Sequence, residues 1–414
     1  MRAESEGLLR VCLTAAVMFS GCLALPRTAL PLEMIRAGGA EQVPERGTLR
    51  VASFNPRLER PGAGVLLKDI RDRAADIQAA ARVILDVRPD VLLLNSFDRD
   101  PEGRALAAFI ALLKAGAGND PGVDYRYAYQ GPVNTGHPSG HDLDGDGNAS
   151  GPGDALGYGA FPGQYGMALL SRFPLETGAM RSYRMFRWSR LPGADRPVSA
   201  DGIPVHVNKI WRTLRLSSKS HWDIPLRLPT GQRVRLLAAH PTPPVFDGPE
   251  DLNGRRNSDE IRLLGAMIDG PAWLTDDKGC PVPGDQAGPF IILGTLNADP
   301  WDGEAKGKGI SRLLTHPRVQ DPHPVSRGAA EAARQSAGVN RHQRGPAAED
   351  TVDWPDRPPG PGNLRVDYVL PSREFTIVRS GVFWPTRGQA GATPGSRAAL
   401  VFANRMVWVD LRLD

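Results

Sequence analysis

At 414 residues the chain can bury a large core, and its 41% hydrophobic and 23% charged content is that of a globular protein, which argues against a disordered one. A formal charge of +4 is weakly basic: it admits an anionic ligand, but with no dense Lys/Arg stripe interleaved with aromatics it gives no support to nucleic-acid binding. Of the three cysteines, Cys12 and Cys22 lie near the amino terminus and leave Cys280 alone, so neither a disulfide framework nor a cysteine metal site is open to the remainder.

Residues 1–30 read as an export signal. Arg2 and Arg10 flank an apolar run from Val11 to Leu25. The run is short for a bilayer span, and no later segment reaches the ~20 apolar residues that a membrane helix needs. Phe19-Ser-Gly-Cys22 is close to a lipoprotein cleavage box, so lipidation at Cys22, ordinary cleavage and an uncleaved anchor all remain open. The expected location is secreted, periplasmic or envelope-associated. Residues 31–47 read as a linker, and 48–414 as one domain.

Thr48 to Asn55 alternates as a strand and ends on a polar residue before Pro56. Asp69 to Val87 has near-helical apolar spacing, is limited by Pro89, and is followed by a buried strand, Val91 to Leu94. After that strand comes Asn95-Ser96-Phe97-Asp98. Further along, Asp142, Asp144 and Asp146 with Gly147 form the front half of an Asp-x-Asp-x-Asp-Gly calcium loop. The twelfth position is Gly153, with Asp154 one residue late, so calcium binding competes with a solvated acidic turn holding no ion.

Tyr165 to Pro174 reads as a strand and turn, followed by a long Arg- and Trp-rich loop from Met180 to Trp211. Lys219 and His221 then read either as groups reaching an anionic substrate or as surface residues. Arg233 to Ala239 reads as a core strand delivering His240 to a Pro-rich turn, and Asp259 to Ile268 as a short amphipathic helix. Phe290 to Pro300 is an apolar run ending at Gly294, then polar residues, which describes a buried strand presenting Asn297 and Asp299 at its carboxyl end. Ser326 to Gly362, rich in Gly, Ala, Pro and Arg, reads as a surface excursion without periodicity. Leu364 to Leu370 and Met406 to Leu413 read as the last core strands.

The stretch Phe290 to Pro300 resembles the Gly-Asp-x-Asn signature of the endonuclease/exonuclease/phosphatase superfamily, the fold of deoxyribonuclease I and its phosphodiesterase relatives. The strands ending at Asn55, Asn95 and His240, and the segment around Asp367, fit the same resemblance. It implies an α/β fold, a two-sheet sandwich with helices on its outer faces and long surface loops. It also implies roles. Asn55 would help position metal or phosphate, His240 would hydrogen-bond the scissile phosphate, Asn297 would hold it, and Asp367 would orient the family's catalytic histidine. The alternative reading of Asn55 is a turn-forming residue.

Four positions depart from that pattern. Ser96 stands where relatives have a metal-binding glutamate, Thr295 where they have aspartate, and Ala403 and Asn404 where they have aspartate and histidine. Mg²⁺ relies on carboxylates, and Ser, Thr and Ala supply none. Asn404 cannot accept a proton near neutral pH. The expectation is therefore a degenerate member that keeps a site for phosphate-containing ligands, with Mg²⁺ expected of the family but not held at this site. A hydrolase using displaced ligands (Asp98, Asp299, Asp302 or Glu304) and a calcium-stabilised extracellular scaffold are the alternatives.

Overall fold

The computed structural model describes residues 47–118, 120–282, 287–305, 308–336 and 338–413. The expected export signal, Cys22 and all but the last residue of the expected linker lie outside the described residues. Two sheets dominate. In the first, β1 (Leu49–Phe54) and β2 (Val91–Asn95) run parallel at the centre. β13 (Val407–Leu413) and β12 (Phe375–Val382) extend it on one side and β4 (Met167–Ser171) and β3 (Tyr127–Tyr129) on the other, all antiparallel. In the second, β7 (Arg233–Ala239) and β8 (Phe290–Thr295) form the parallel centre. β11 (Asp367–Pro371) pairs with β8, while β6 (His221–Arg227) and β5 (Arg181–Ser182) continue beyond β7. A short ribbon of β9 (Val352–Asp353) and β10 (Asn363–Leu364) stands apart.

Strand periodicity explains the layering. Successive side chains point to opposite faces, so Val51, Leu93, Val409, Leu236, Ile291 and Val369 meet between the sheets. Their neighbours Ala52, Phe54, Leu92 and Leu94 face outward onto α1 (Val65–Arg71), α2 (Ala75–Val87), α3 (Arg104–Ala115) and α8 (Pro394–Ala399). Leu237, Ala239, Phe290 and Ile292 likewise face α5 (Leu252–Asp269) and α6 (Lys308–Leu314). Strands covered on both faces read as continuous apolar runs, which is why β2 and β8 carry so little polar alternation. The result is the expected helix–sheet–sheet–helix sandwich. One charge is built into it: Arg50 of β1 makes paired bonds to Asp410 of β13 at 2.7 and 2.8 Å, both side chains fully buried, with its guanidinium 4.5 Å from the Trp408 ring centre.

Three expectations need correction. The single helix expected over Asp69 to Val87 is two, because Arg73 adopts φ 54° and breaks the path between α1 and α2. The short helix over Asp259 to Ile268 begins a full two turns earlier, at Leu252. The excursion from Ser326 to Gly362 is not devoid of order: it holds α7 (Arg327–Ser336) and the ribbon strand β9, and Ala329 plugs the inter-sheet core. The Arg- and Trp-rich loop, which includes α4 (Asn208–Trp211), packs Trp188 and Trp211 against the α5 side of the second sheet.

Candidate active site

The ends of the central strands converge on one edge. Ser53, the penultimate residue of β1, pairs with Val407, so the residues preceding β13 lie just beyond β1. Among them Asn404 donates from Nδ2 to Asp367 Oδ2 at 2.9 Å. Asp367 in turn pairs with Thr295, the last residue of β8. Asn404, Asp367 and Thr295, drawn from both sheets, therefore meet at one place.

Asp367 is fully buried, and three neutral donors satisfy it. Thr295 Oγ1 donates to Oδ1 at 2.6 Å, and Asn404 Nδ2 and Thr351 Oγ1 donate to Oδ2 at 2.9 and 3.0 Å. Burial raises its pKa to about 6, against the pull of those three hydrogen bonds, so the group is an anion near neutral pH. Three of the positions that depart from the expected pattern thus have defined work: Thr295 and Asn404 hold a carboxylate, and Ala403 packs beside Val352, Leu364 and Val366. Thr351 escapes a reading of the sequence because it lies sixteen residues before Asp367 in the chain and arrives through the contact of Val352 with Asn404.

Two turns at this edge are left-handed without glycine. Ser96, directly after β2, has φ 52°, and Asn297, two residues after β8, has φ 54°. Such conformations are disfavoured for residues with a Cβ and gather at sites where the surroundings hold them. Asn297 is held by its Nδ2, which donates to Pro241 O at 2.9 Å in the turn after His240. Asn257 of α5 ties the same two turns, donating to Thr242 O at 2.8 Å and Leu296 O at 2.9 Å. Asn55 is buried and accepts Arg57 N–H at 3.2 Å, so it also closes a turn.

His240 is 5% exposed and its Nδ1 is buried with no hydrogen-bond partner. Burial, reinforced by the charge of Lys219, holds its pKa well below 6.5, so the ring is neutral near pH 7. Glu260 of α5 organises this corner. It takes Ser218 N–H at 2.6 Å on Oε1 and Thr242 N–H at 2.7 Å on Oε2, clamping the segments on either side. His221 is fixed between Ser217 Oγ at 2.7 Å and Glu260 O at 2.9 Å. Lys219 and His221 are accordingly buried, which overturns their reading as surface residues. The sequence signal for Glu260 was its place on the buried face of α5 among Asn257, Ile261 and Leu264.

Three carboxylates near this edge, Asp98, Asp299 and Asp302, are already occupied by backbone donors. Asp98 accepts Arg60 N–H at 2.7 Å on one oxygen and Tyr165 N–H at 2.9 Å on the other, and burial lifts its pKa to about 7. Asp299 takes three backbone N–H groups, from Trp301, Asp302 and Arg365, at 2.7–3.0 Å. Asp302 accepts from Arg344 and Gly345. Among the described residues, only Asp142, Asp144 and Asp146 bring three carboxylates within 4.8 Å of one another, and these are exposed. Beside that trio, Asp154 accepts Leu143 N–H at 2.7 Å on Oδ1, while its Oδ2 is buried without a donor. Gly153 leaves room for the Asp144 carboxylate: a Cβ there would meet Asp144 Oδ2 at 2.1 Å.

Residues 51–391 match the profile of the Endonuclease/Exonuclease/phosphatase family. Among solved structures, an endonuclease/exonuclease/phosphatase from Beutenbergia cavernae is similar at 20% identity, over 89% of this chain and 72% of that one, with a TM-score of 0.50. A family protein from Leptotrichia buccalis is 12% identical over 88% of this chain and 99% of that one, with a TM-score of 0.45. Sphingomyelinase C from Streptomyces griseocarneus is 14% identical over 88% and 99%, with a TM-score of 0.40. No curated protein matches the chain. With the profile spanning most of its length, and with two sheets flanked by helices as the fold requires, this chain belongs to the endonuclease/exonuclease/phosphatase family.

Proposed function

We propose that this protein is an exported family member that binds phosphate-containing ligands in the cleft at the strand ends and does not hydrolyse them by a metal-dependent route. The observation that carries this reading is the saturation of Asp367 by Thr295, Asn404 and Thr351. In relatives the resemblance gives that aspartate a histidine to orient; here it orients an amide, which cannot take a proton from water. Asn55, His240 and Asn297 are the neutral groups left to hold a phosphoryl oxygen. Divalent-metal dependence is general in the family, and in this chain Asp98, Asp299 and Asp302 are spent on backbone N–H groups. Calorimetric titration with Mg²⁺ or Mn²⁺ tests the point, using a variant with the acidic loop neutralised. No stoichiometric heat is expected, and a tight one-to-one signal would overturn the reading.

A second reading concerns the acidic loop, which we propose holds Ca²⁺ as a structural ion. Asp154 favours it: it accepts Leu143 N–H between Asp142 and Asp144, and its other carboxylate oxygen is buried without a donor beside the acidic trio. Saturating Ca²⁺ is expected to raise the melting temperature by about 2–5 °C. Changing Asp142, Asp144 and Asp146 together to Ala should remove that rise. An unmodified protein that melts identically with and without Ca²⁺ would rule the ion out.

A further inference from the structure

Lys219 is an unusual residue for its position. It is 6% exposed, yet its ammonium has no hydrogen bond or salt bridge among the described residues. The nearest charges are felt at longer range: Glu260, Arg256 and Glu59 all act on it electrostatically. None closes an ion pair with it. Glu260 is already engaged by Ser218 N and Oγ and by Thr242 N. Glu59 binds Arg57 through Oε1, and its Oε2 is buried without a partner. The residue is largely buried while its ammonium, without a contact partner among the described residues, is open to an anion supplied from outside the chain.

The backbone fixes where this cation stands. Register between β6 and β7 sets His221 opposite Ala239, so the residues just before His221 run beside His240 and Pro241. Ser218 Oγ reaches His240 O at 3.5 Å, and Asn134 N–H holds Lys219 O at 2.9 Å. Lys219 therefore lies beside the neutral imidazole of His240 and next to the turn that Asn297 secures through Pro241 O. Its burial lowers its pKa to about 8, with Glu260 offsetting part of that effect, so it carries its charge at neutral pH.

We propose that Lys219 is the cation that binds the anionic phosphoryl group in this cleft, with His240 and Asn297 as neutral neighbours, in place of a divalent ion. The inference rests on the phosphate-binding reading above and adds to it the source of positive charge and the ligand class: a phosphate ester anion taken without metal. An ammonium acts on phosphate as a point charge, and in a low-dielectric setting that charge is weakly screened. The same charge offers no activated water, so it supports binding and not hydrolysis.

The test uses dimethyl phosphate, a diester anion of constant charge near neutral pH, titrated in the presence of EDTA. The unmodified protein, Lys219→Met and Lys219→Arg are compared by calorimetry and by melting temperature. Binding by the unmodified protein, weakened about 10- to 100-fold in Lys219→Met and partly kept in Lys219→Arg, is expected. Lys219→Met should melt no lower than the unmodified protein, because it removes an unpaired buried charge. Equal affinity in Lys219→Met would overturn the inference while leaving the cleft reading in place. A lower melting temperature together with lost binding would make the ammonium a structural group and overturn it equally. No binding by the unmodified protein without metal would overturn the cleft reading itself.

Discussion

Replacing Asp350 with Asn is expected to stabilise the protein at pH 8 by roughly 2–5 kcal/mol, and by far less near pH 4. Asp350 is 6% exposed and its Oδ2 is buried without a donor. Burial first, then the neighbouring charges of Asp299, Asp302 and Glu349, raise its pKa from 3.8 to about 8. The sign follows from proton counting. Between these two values the folded chain holds a proton that the unfolded chain releases, so stability falls as pH rises from about 4 and levels off above about 8. An amide at this position has no charge to bury and adds donors facing a group of carboxylates. Urea denaturation of both proteins across pH 4–8 reads the difference. Curves that stay parallel would show that Asp350 is solvated or paired in the folded state.

The same segment couples to the turn after Asn297. Arg365 carries Asp321 and Glu349 at 2.5 and 2.8 Å, and its N–H binds Asp299 at 2.7 Å in the turn that follows Asn297. Asp299, Asp321 and Glu349 thus take part in the support beneath that turn.

The strands were legible in the sequence where burial on both faces leaves an unbroken apolar run. Val91 to Leu94 and Phe290 to Leu293 read as buried strands, and their ends located Ser96, Thr295 and Asn297. Helix boundaries were less legible. Arg73 and Arg88 both adopt left-handed backbone, which no residue-type preference announces for arginine. The candidate site was half legible. Motif positions identified Asn55, His240, Asn297 and Asp367, since each follows or begins a recognisable strand. Thr351, Glu260 and Lys219 were harder, because their roles depend on which distant turns they reach. Their partners lie sixteen residues away for Thr351 and forty-two and eighteen for Glu260. Asp98 and Asp299 invite a metal-ligand reading, and the backbone N–H groups on their oxygens give them a competing structural role that only the fold displays.

The most direct test of the account is phosphodiester hydrolysis by the unmodified chain and by a variant carrying Ser96→Glu, Thr295→Asp, Ala403→Asp and Asn404→His. Asn404→His would give Asp367 an imidazole to orient, and the other three changes would supply the carboxylates that a divalent ion needs. Thr295→Asp sets a second carboxylate beside fully buried Asp367, so the variant should be less stable unless the cation is present. A general base alone is worth about 10²–10⁴ in rate, and the metal adds to that without simple additivity. Rates of bis(p-nitrophenyl) phosphate cleavage with and without 5–10 mM Mg²⁺, a range set at roughly saturating concentration for weak Mg²⁺ sites, decide the matter. Background turnover by the unmodified chain, with magnesium-stimulated cleavage only in the fourfold variant, is the predicted result. Magnesium-stimulated cleavage by the purified unmodified chain would contradict it.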